Sequence, residues 1–186
     1  MGRHVFGLSS SLARRGHEVT VITSDITTSY PFRRLESIPA QEEIDDFLVK
    51  RFRSYCVTEK VKTAKIIPGM TFEALKNRDA DLIHAHAYGY YSWYGATIPG
   101  LLRKIPVIVT NHRSDWSNFD CNLNPALYNL FNTTLGRYVL KRANHVIAMY
   151  EEEKSARVRC WSERSNRRVT PRATRGRSIF WKEFMV

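Results

Sequence analysis

Apolar residues near the amino terminus change from helical spacing to an almost unbroken run. Val5, Leu8 and Leu12 recur at helical spacing, and Gly16 stands where such a helix ends. Residues 19–23, which follow at once, are apolar or β-branched, as is typical of a strand buried in a parallel sheet. A helix, a glycine and a strand form half of a βαβ unit, so the pattern predicts that a parallel strand precedes the helix.

The alternation of strands and helices continues to residue 148. Further strands are predicted over residues 47–53, 81–86, 106–110 and 145–148. We predict a short helix around Phe72 and Leu75, a helix over 93–102 that Pro99 should kink or shorten, and a helix over 125–142. This rhythm predicts an α/β fold, with a Rossmann-like open parallel sheet and helices on both faces.

Most of the positive charge lies at the carboxyl-terminal end. The net charge is +11, and residues 155–186 hold eight Arg and one Lys against two Glu, which is +7 and leaves +4 for residues 1–154. The same stretch contains no Leu and shows neither period 2 nor period 3.6. We therefore divide the chain into a domain over 2–154 and a basic, disordered tail over 155–186. A shifted reading frame often gives such an Arg-rich, Leu-free stretch, and a natural basic tail that contacts phosphates is the alternative.

Several classes of function are disfavoured by what the sequence lacks. His84 and His86 share one face of a predicted strand, but no third ligand stands at a fixed spacing, so no metal site is predicted. No helix-turn-helix, zinc or aromatic stacking motif accompanies the basic charge, so no nucleic-acid partner is expected. No apolar run reaches the roughly 20 residues of a membrane span. We expect a cytoplasmic protein, either free or peripheral at the anionic inner face of the membrane.

Four segments resemble, in order and at about the same spacing, those of family 4 glycosyltransferases with the GT-B fold. The first joins Gly2-x-His4-Val5 to the turn Arg15-Gly16-His17-Glu18-Val19, and the others lie over residues 81–86, 106–112 and 142–148. In that family a central strand and a glycine-rich loop come before the first helix, whereas here Met1 directly precedes Gly2. The resemblance therefore implies one domain of a GT-B pair whose sheet lacks its first strand, which would leave backbone groups of the neighbouring strands unpaired.

The resemblance also implies an activity. Family members transfer a hexosyl group from a nucleoside-diphosphate sugar, such as a UDP- or GDP-sugar, to a glycan, lipid or small-molecule acceptor with retention at the anomeric carbon, and no other cofactor is implied. A second domain of the family holds the nucleotide through two glutamates with seven residues between them, and this chain contains no such pair. We therefore expect the chain alone to be incomplete and inactive.

Site residues follow from the same resemblance, position by position. His112 matches a catalytic histidine that faces the transferred sugar, where an imidazole can hydrogen-bond a hydroxyl or stabilise developing positive charge. Gly2 and Arg3 match the loop that approaches the donor phosphates at a helix start. The residues assigned to the acceptor side are His4, His86, Tyr88, Gly89, Arg113 and Asp115.

Three alternatives stay open at this point. His112 could have a purely structural role instead of a catalytic one. The aromatic run over 88–94 could stack on a sugar or pack in the core, and the sequence favours neither. The chain as a whole could be a non-catalytic single domain that binds an acceptor or an anion without chemistry.

Overall fold

The computed structural model describes residues 2–29, 31–58, 65–77, 79–110, 130–147 and 178–182. Its helices are α1 (Gly2–Ala13), α2 (Pro68–Lys76), α3 (Tyr91–Leu102) and α4 (Arg137–Arg142), the last preceded by a π-helical turn over Asn132–Gly136. Its strands are β1 (Glu18–Ser24), β2 (Ile26–Ser29), β3 (Phe32–Arg34), β4 (Gln41–Ile44), β5 (Phe47–Phe52), β6 (Tyr55–Cys56), β7 (Lys65–Ile66), β8 (Ala80–His86), β9 (Val107–Thr110), β10 (His145–Ile147) and β11 (Ser178–Lys182).

One seven-stranded sheet organises these elements. Its strand order is β10-β9-β8-β11-β1-β5-β4, and every neighbouring pair is parallel except β4 with β5. Two small antiparallel pairs, β2 with β3 and β6 with β7, lie outside it. The prediction of an α/β fold with a Rossmann-like parallel sheet is confirmed.

Two apolar clusters cover the two faces of the sheet. On one face, Val19 and Val21 of β1 pack with Val5 of α1, which is fully buried. On the other face, Ile22 and the buried residues of β8 and β9 pack with α2, α3 and α4. A Cβ at Gly100 of α3 would lie 2.8 Å from side-chain atoms of β8 and β9, so this glycine allows the helix to approach the sheet closely.

The main difference from the sequence analysis is the central strand β11. It lies between β1 and β8 and pairs with both in parallel, at five positions each. The sequence predicts a sheet without its first strand and a tail over 155–186 without a core face. Residues 178–182 do not fit that prediction, because they supply the backbone partner that β1 and β8 each need. The boundary between residues 154 and 155 stays a prediction.

The other differences are local. Helix α3 runs to Leu102 and contains Pro99, which lies in its last turn, so the helix is not shortened there. The sequence does not predict strand β4, nor the antiparallel pairs β2–β3 and β6–β7. Residues 125–129 of the predicted fourth helix lie outside the described residues. The longest helices in the described part of the chain, α1 and α3, have 12 residues, and none is both long and apolar enough to cross a membrane.

Candidate functional site

Histidines gather where strands β8 and β9 end. His86 is the last residue of β8 and pairs in register with Thr110, the last residue of β9. Both side chains are buried, and so is that of His84. The Nε2 atom of His84 lies 2.6 Å from the Oγ1 atom of Thr110, which is hydrogen-bond distance. The carboxyl ends of parallel strands are where α/β folds bind ligands, so this edge is the candidate site.

Helix α1 brings a third histidine to the same edge. The rings of His84 and His86 are stacked, with their centroids 4.2 Å apart. The ring of His4, in the first turn of α1, meets that of His86 edge-on at 6.0 Å. His4 and His86 are both predicted acceptor-side residues, and the structure brings their rings into contact with each other.

The described residues around the histidine cluster do not form a group that could hold a metal ion. Within the described ranges, no three His, Cys, Asp or Glu side chains are grouped so that they could hold a metal ion. His84 is instead fixed by Thr110 and by its stacking on His86.

A tight turn connects β8 to α3. Ala87 and Gly89 both adopt positive φ angles, 63° and 84°, and a positive φ is uncommon for alanine. The amide of Ala87 donates a hydrogen bond to the carbonyl of Thr110 at 3.0 Å, and the Ser92 hydroxyl donates one to the carbonyl of His86 at 3.2 Å. These bonds fix the backbone around His86 and account for the strained turn, as is common where a side chain must be held for binding.

The aromatic run after β8 contains buried and half-buried side chains. Tyr88 and Trp93 are buried, and their ring centroids lie 4.6 Å apart in an edge-on contact. The Tyr88 hydroxyl donates to Oδ1 of Asn132 at 2.7 Å, and Gly136 leaves room for it, because a Cβ there would lie only 2.2 Å from that oxygen. For Tyr88 and Trp93 the core reading of the aromatic run is therefore the better one.

Tyr94, one residue beyond, is partly buried, and burial raises the pKa of its phenol to about 12, with the nearby Tyr91 as a smaller cause. A raised pKa means that the folded state holds this proton more tightly than the unfolded state. The stabilisation is complete below pH 10, the ordinary pKa, and is lost as the pH rises towards 12. We expect the loss of unfolding free energy between pH 10 and 12 to be smaller in Tyr94→Phe than in the wild type, as measured by urea denaturation across that range. Equal losses would contradict the prediction.

A second feature lies at the carboxyl ends of β1 and β5. A cavity of about 1000 Å³ opens there, next to the β2–β3 hairpin. It is lined by four arginines, two carboxylates and several apolar side chains; the charged residues are Arg33, Arg34, Arg51, Arg53, Asp25 and Glu36. None of these residues is among the site residues predicted from the sequence. The sequence signal that corresponds to them is the pair of short basic stretches at residues 33–34 and 51–53.

The remaining predicted site residues have different outcomes. Gly2 and Arg3 begin helix α1, and Arg3 is exposed. His112, Arg113 and Asp115 lie outside the described residues, so their assignments stay predictions. Thr110, two residues before His112 in the sequence, ends β9 beside His86.

Comparison with known proteins gives one result. The family model named Glycosyltransferase Family 4 matches residues 1–173 of this 186-residue chain. No curated protein and no solved structure matches. The match covers far more than half of the sequence, and the parallel α/β sheet agrees with it. The chain therefore belongs to glycosyltransferase family 4.

Proposed function

We propose that this chain acts in the transfer of a hexosyl group from a nucleoside-diphosphate sugar to an acceptor, with retention at the anomeric carbon. In this proposal it is the acceptor-side domain of a GT-B pair, and its folded unit spans residues 2–154 completed by β11. The observation that carries the proposal is the contact between His4 and His86 at the carboxyl edge of the parallel sheet. His4 and His86 are 82 positions apart in the sequence, and the family resemblance assigns both to the substrate side. They meet at the edge where parallel sheets of this kind bind ligands.

Each proposed site residue has a chemical task. His112 follows the strand that ends at Thr110 and would hydrogen-bond the transferred sugar or stabilise positive charge developing on it. Gly2 and Arg3, at the amino end of the 12-residue helix α1, would approach the donor phosphates, since helix amino termini favour anions. His86 and the turn at Gly89 would border the acceptor, together with Arg113 and Asp115. The co-substrate is a UDP- or GDP-sugar, and its nucleotide is held by the second domain of the pair.

The catalytic part of the proposal is tested by release of nucleoside diphosphate. The chain is assayed with a panel of UDP- and GDP-sugars, alone and joined to the nucleotide-binding domain of another family 4 enzyme. We expect release in the joined form, and we expect His112→Ala to reduce it by about a hundredfold or more, the scale of losing one group that stabilises transition-state charge. His145→Ala is the matched control, because His145 is an exposed histidine on the edge strand β10.

Equal rates for His112→Ala and His145→Ala would contradict the role of His112. An inverted anomer in the product, read by proton NMR, would contradict retention.

The second candidate function is a non-catalytic domain that binds an acceptor or an anion. The arginine-lined cavity favours this second candidate, because arginine side chains can bind an anion when no donor nucleotide is present. Binding of an anionic probe by a protein that shows no nucleoside-diphosphate release in either form would support this candidate over the first.

A further inference from the structure

The arginine-lined cavity is built by a hairpin that folds back over the end of the sheet. The carbonyl of Asp25, the residue after β1, accepts a hydrogen bond from the Leu35 amide at 2.8 Å, and the Asp25 amide donates to the carbonyl of Phe52 at 3.2 Å. The first bond joins the two ends of the β2–β3 hairpin, and the second fixes that base to the end of β5. The cavity between them, about 1000 Å³ in volume, is large enough for a small-molecule ligand.

Among the described residues, no carboxylate forms an ion pair with three of the arginines that line it. Arg51 pairs with Glu42, and no ion pair between described residues involves Arg33, Arg34 or Arg53. Arg34 donates only one long hydrogen bond, 3.5 Å, to the carbonyl of Ser54. The guanidinium of Arg53 lies 5.8 Å from the Tyr55 ring centroid, which leaves its N–H groups available. Arginine is suited to planar, two-point recognition of phosphate oxygens.

Arg51 and Asp25 form the more buried part of the wall. The Arg51 side chain is 10% exposed and is held by Glu42, and its Nε atom is buried with no hydrogen-bond partner among the described residues. A buried N–H group without a hydrogen-bond partner favours a ligand that can accept a hydrogen bond from it. Asp25 Oδ1 accepts hydrogen bonds from the Ser54 amide at 2.9 Å and from the Ser54 hydroxyl. The carboxylates of Asp25 and Glu36 can accept hydrogen bonds from hydroxyl groups of a ligand whose phosphate meets the arginines.

The cavity lies on the same edge of the sheet as the histidine cluster. Ile22, Lys182 and Ala85 are in register across β1, β11 and β8, so Thr23 is level with His86 and Asp25 lies just beyond it. Asp25 follows β1, which is two strand spacings, about 10 Å, from β8, whereas Arg51 lies on β5, which is three spacings, about 14 Å, from β8. An acceptor long enough to cross three strands could place hydroxyls near His86 and its phosphate among the arginines.

We propose that Arg33, Arg34 and Arg53, with Arg51 at the wall, bind the phosphate group of a phosphate-bearing acceptor. This inference rests on the proposed function, and it adds the chemical class of the acceptor. Apolar side chains of Phe32, Phe52 and Ile38, which also line the cavity, cover the carbon skeleton of such a ligand.

The test is direct binding, measured by calorimetry with the full chain. The probe is glycerol 3-phosphate, and glycerol is the control that lacks the phosphate. We expect glycerol 3-phosphate to bind and glycerol not to bind. The double variant Arg33→Gln/Arg53→Gln should weaken binding by about a hundredfold, about tenfold for each charged donor lost.

Arg137→Gln is the matched control, because Arg137 is an exposed arginine on α4 remote from the lining of the cavity. It should leave the affinity for glycerol 3-phosphate unchanged. Both replaced residues of the double variant are exposed, so its thermal unfolding should match that of the wild type. Equal affinity of the double variant and the wild type would overturn the proposal, as would equal binding of glycerol.

A second arm distinguishes a soluble phosphate ester from a lipid headgroup. Vesicles of phosphatidylcholine with phosphatidylglycerol are compared with vesicles of phosphatidylcholine alone in a sedimentation assay. Binding of phosphatidylglycerol vesicles that the double variant loses supports a phosphate carried by a lipid, and binding of glycerol 3-phosphate alone supports a soluble acceptor. Vesicle binding that the double variant keeps, with no binding of glycerol 3-phosphate, would overturn the proposal and point to the basic residues of 155–186.

The two proposals fail separately. Phosphate binding needs no sugar nucleotide, so a protein without transfer activity can still show it. Conversely, sugar transfer that proceeds equally well in the double variant would remove the arginine site and leave the proposed function standing.

Discussion

A chain that ends at residue 177 is expected to lose its cooperative unfolding transition. The truncation removes β11, which pairs on one side with β1 and on the other with β8. Backbone N–H and C=O groups of both neighbours would then lose their partners in the middle of the sheet, where water cannot replace them without opening the core. At about 1 kcal/mol for each hydrogen bond, the loss would amount to about 5 kcal/mol or more, which is comparable to the whole stability of a domain.

The control for this truncation is a chain that ends at residue 182. It also loses part of the tail, but it keeps all of β11. We expect it to unfold like the full chain in urea, followed by far-UV circular dichroism. Phe180→Pro should reproduce the effect of the longer truncation, because proline removes a backbone donor from a central strand. If chains ending at 177 and 182 had the same unfolding midpoint, the central position of β11 would be refuted.

The order of the elements could largely be predicted, because α1, β1, β8 and β9 carry local signals. Gly16 has a φ of 84° and lies in the turn that follows α1, where the sequence predicts the end of the helix. The sequence does not predict β11, because residues 155–186 are basic and free of Leu, and the three strand-forming residues Ile179-Phe180-Trp181 are too few to show a period. β11 pairs with β1 and β8, two strands that are far from it in the sequence. A local sequence pattern does not reveal that these two strands need a partner between them.

The edge of the sheet shows the same limit. β4 alternates exposed and half-buried residues and contains three polar side chains, so it pairs with β5 through its backbone and gives no apolar signal. His4 and His86 meet because the start of α1 and the end of β8 lie at the same edge of the sheet, and their assignment to the acceptor side stays a prediction. The sequence does not predict the arginine cavity, because Arg33 and Arg53 line one cavity only when the β2–β3 hairpin lies beside the end of β5.

Trp93→Ala is expected to lower the free energy of unfolding by about 3–5 kcal/mol, the usual cost of removing a buried aromatic side chain. Trp93 is 1% exposed and contacts Tyr88 edge-on in the loop that follows His86. Phe72→Ala is the control, because Phe72 is an aromatic residue that is 63% exposed, and its loss should cost well under about 1 kcal/mol. Trp93→Phe should retain part of the stability by keeping an aromatic contact with Tyr88. Urea denaturation measures all three variants. Weaker acceptor binding in Trp93→Ala without loss of stability would favour a sugar-stacking role and contradict the assignment of Trp93 to the core. A large loss of stability would show that Trp93 stabilises the turn that holds His86.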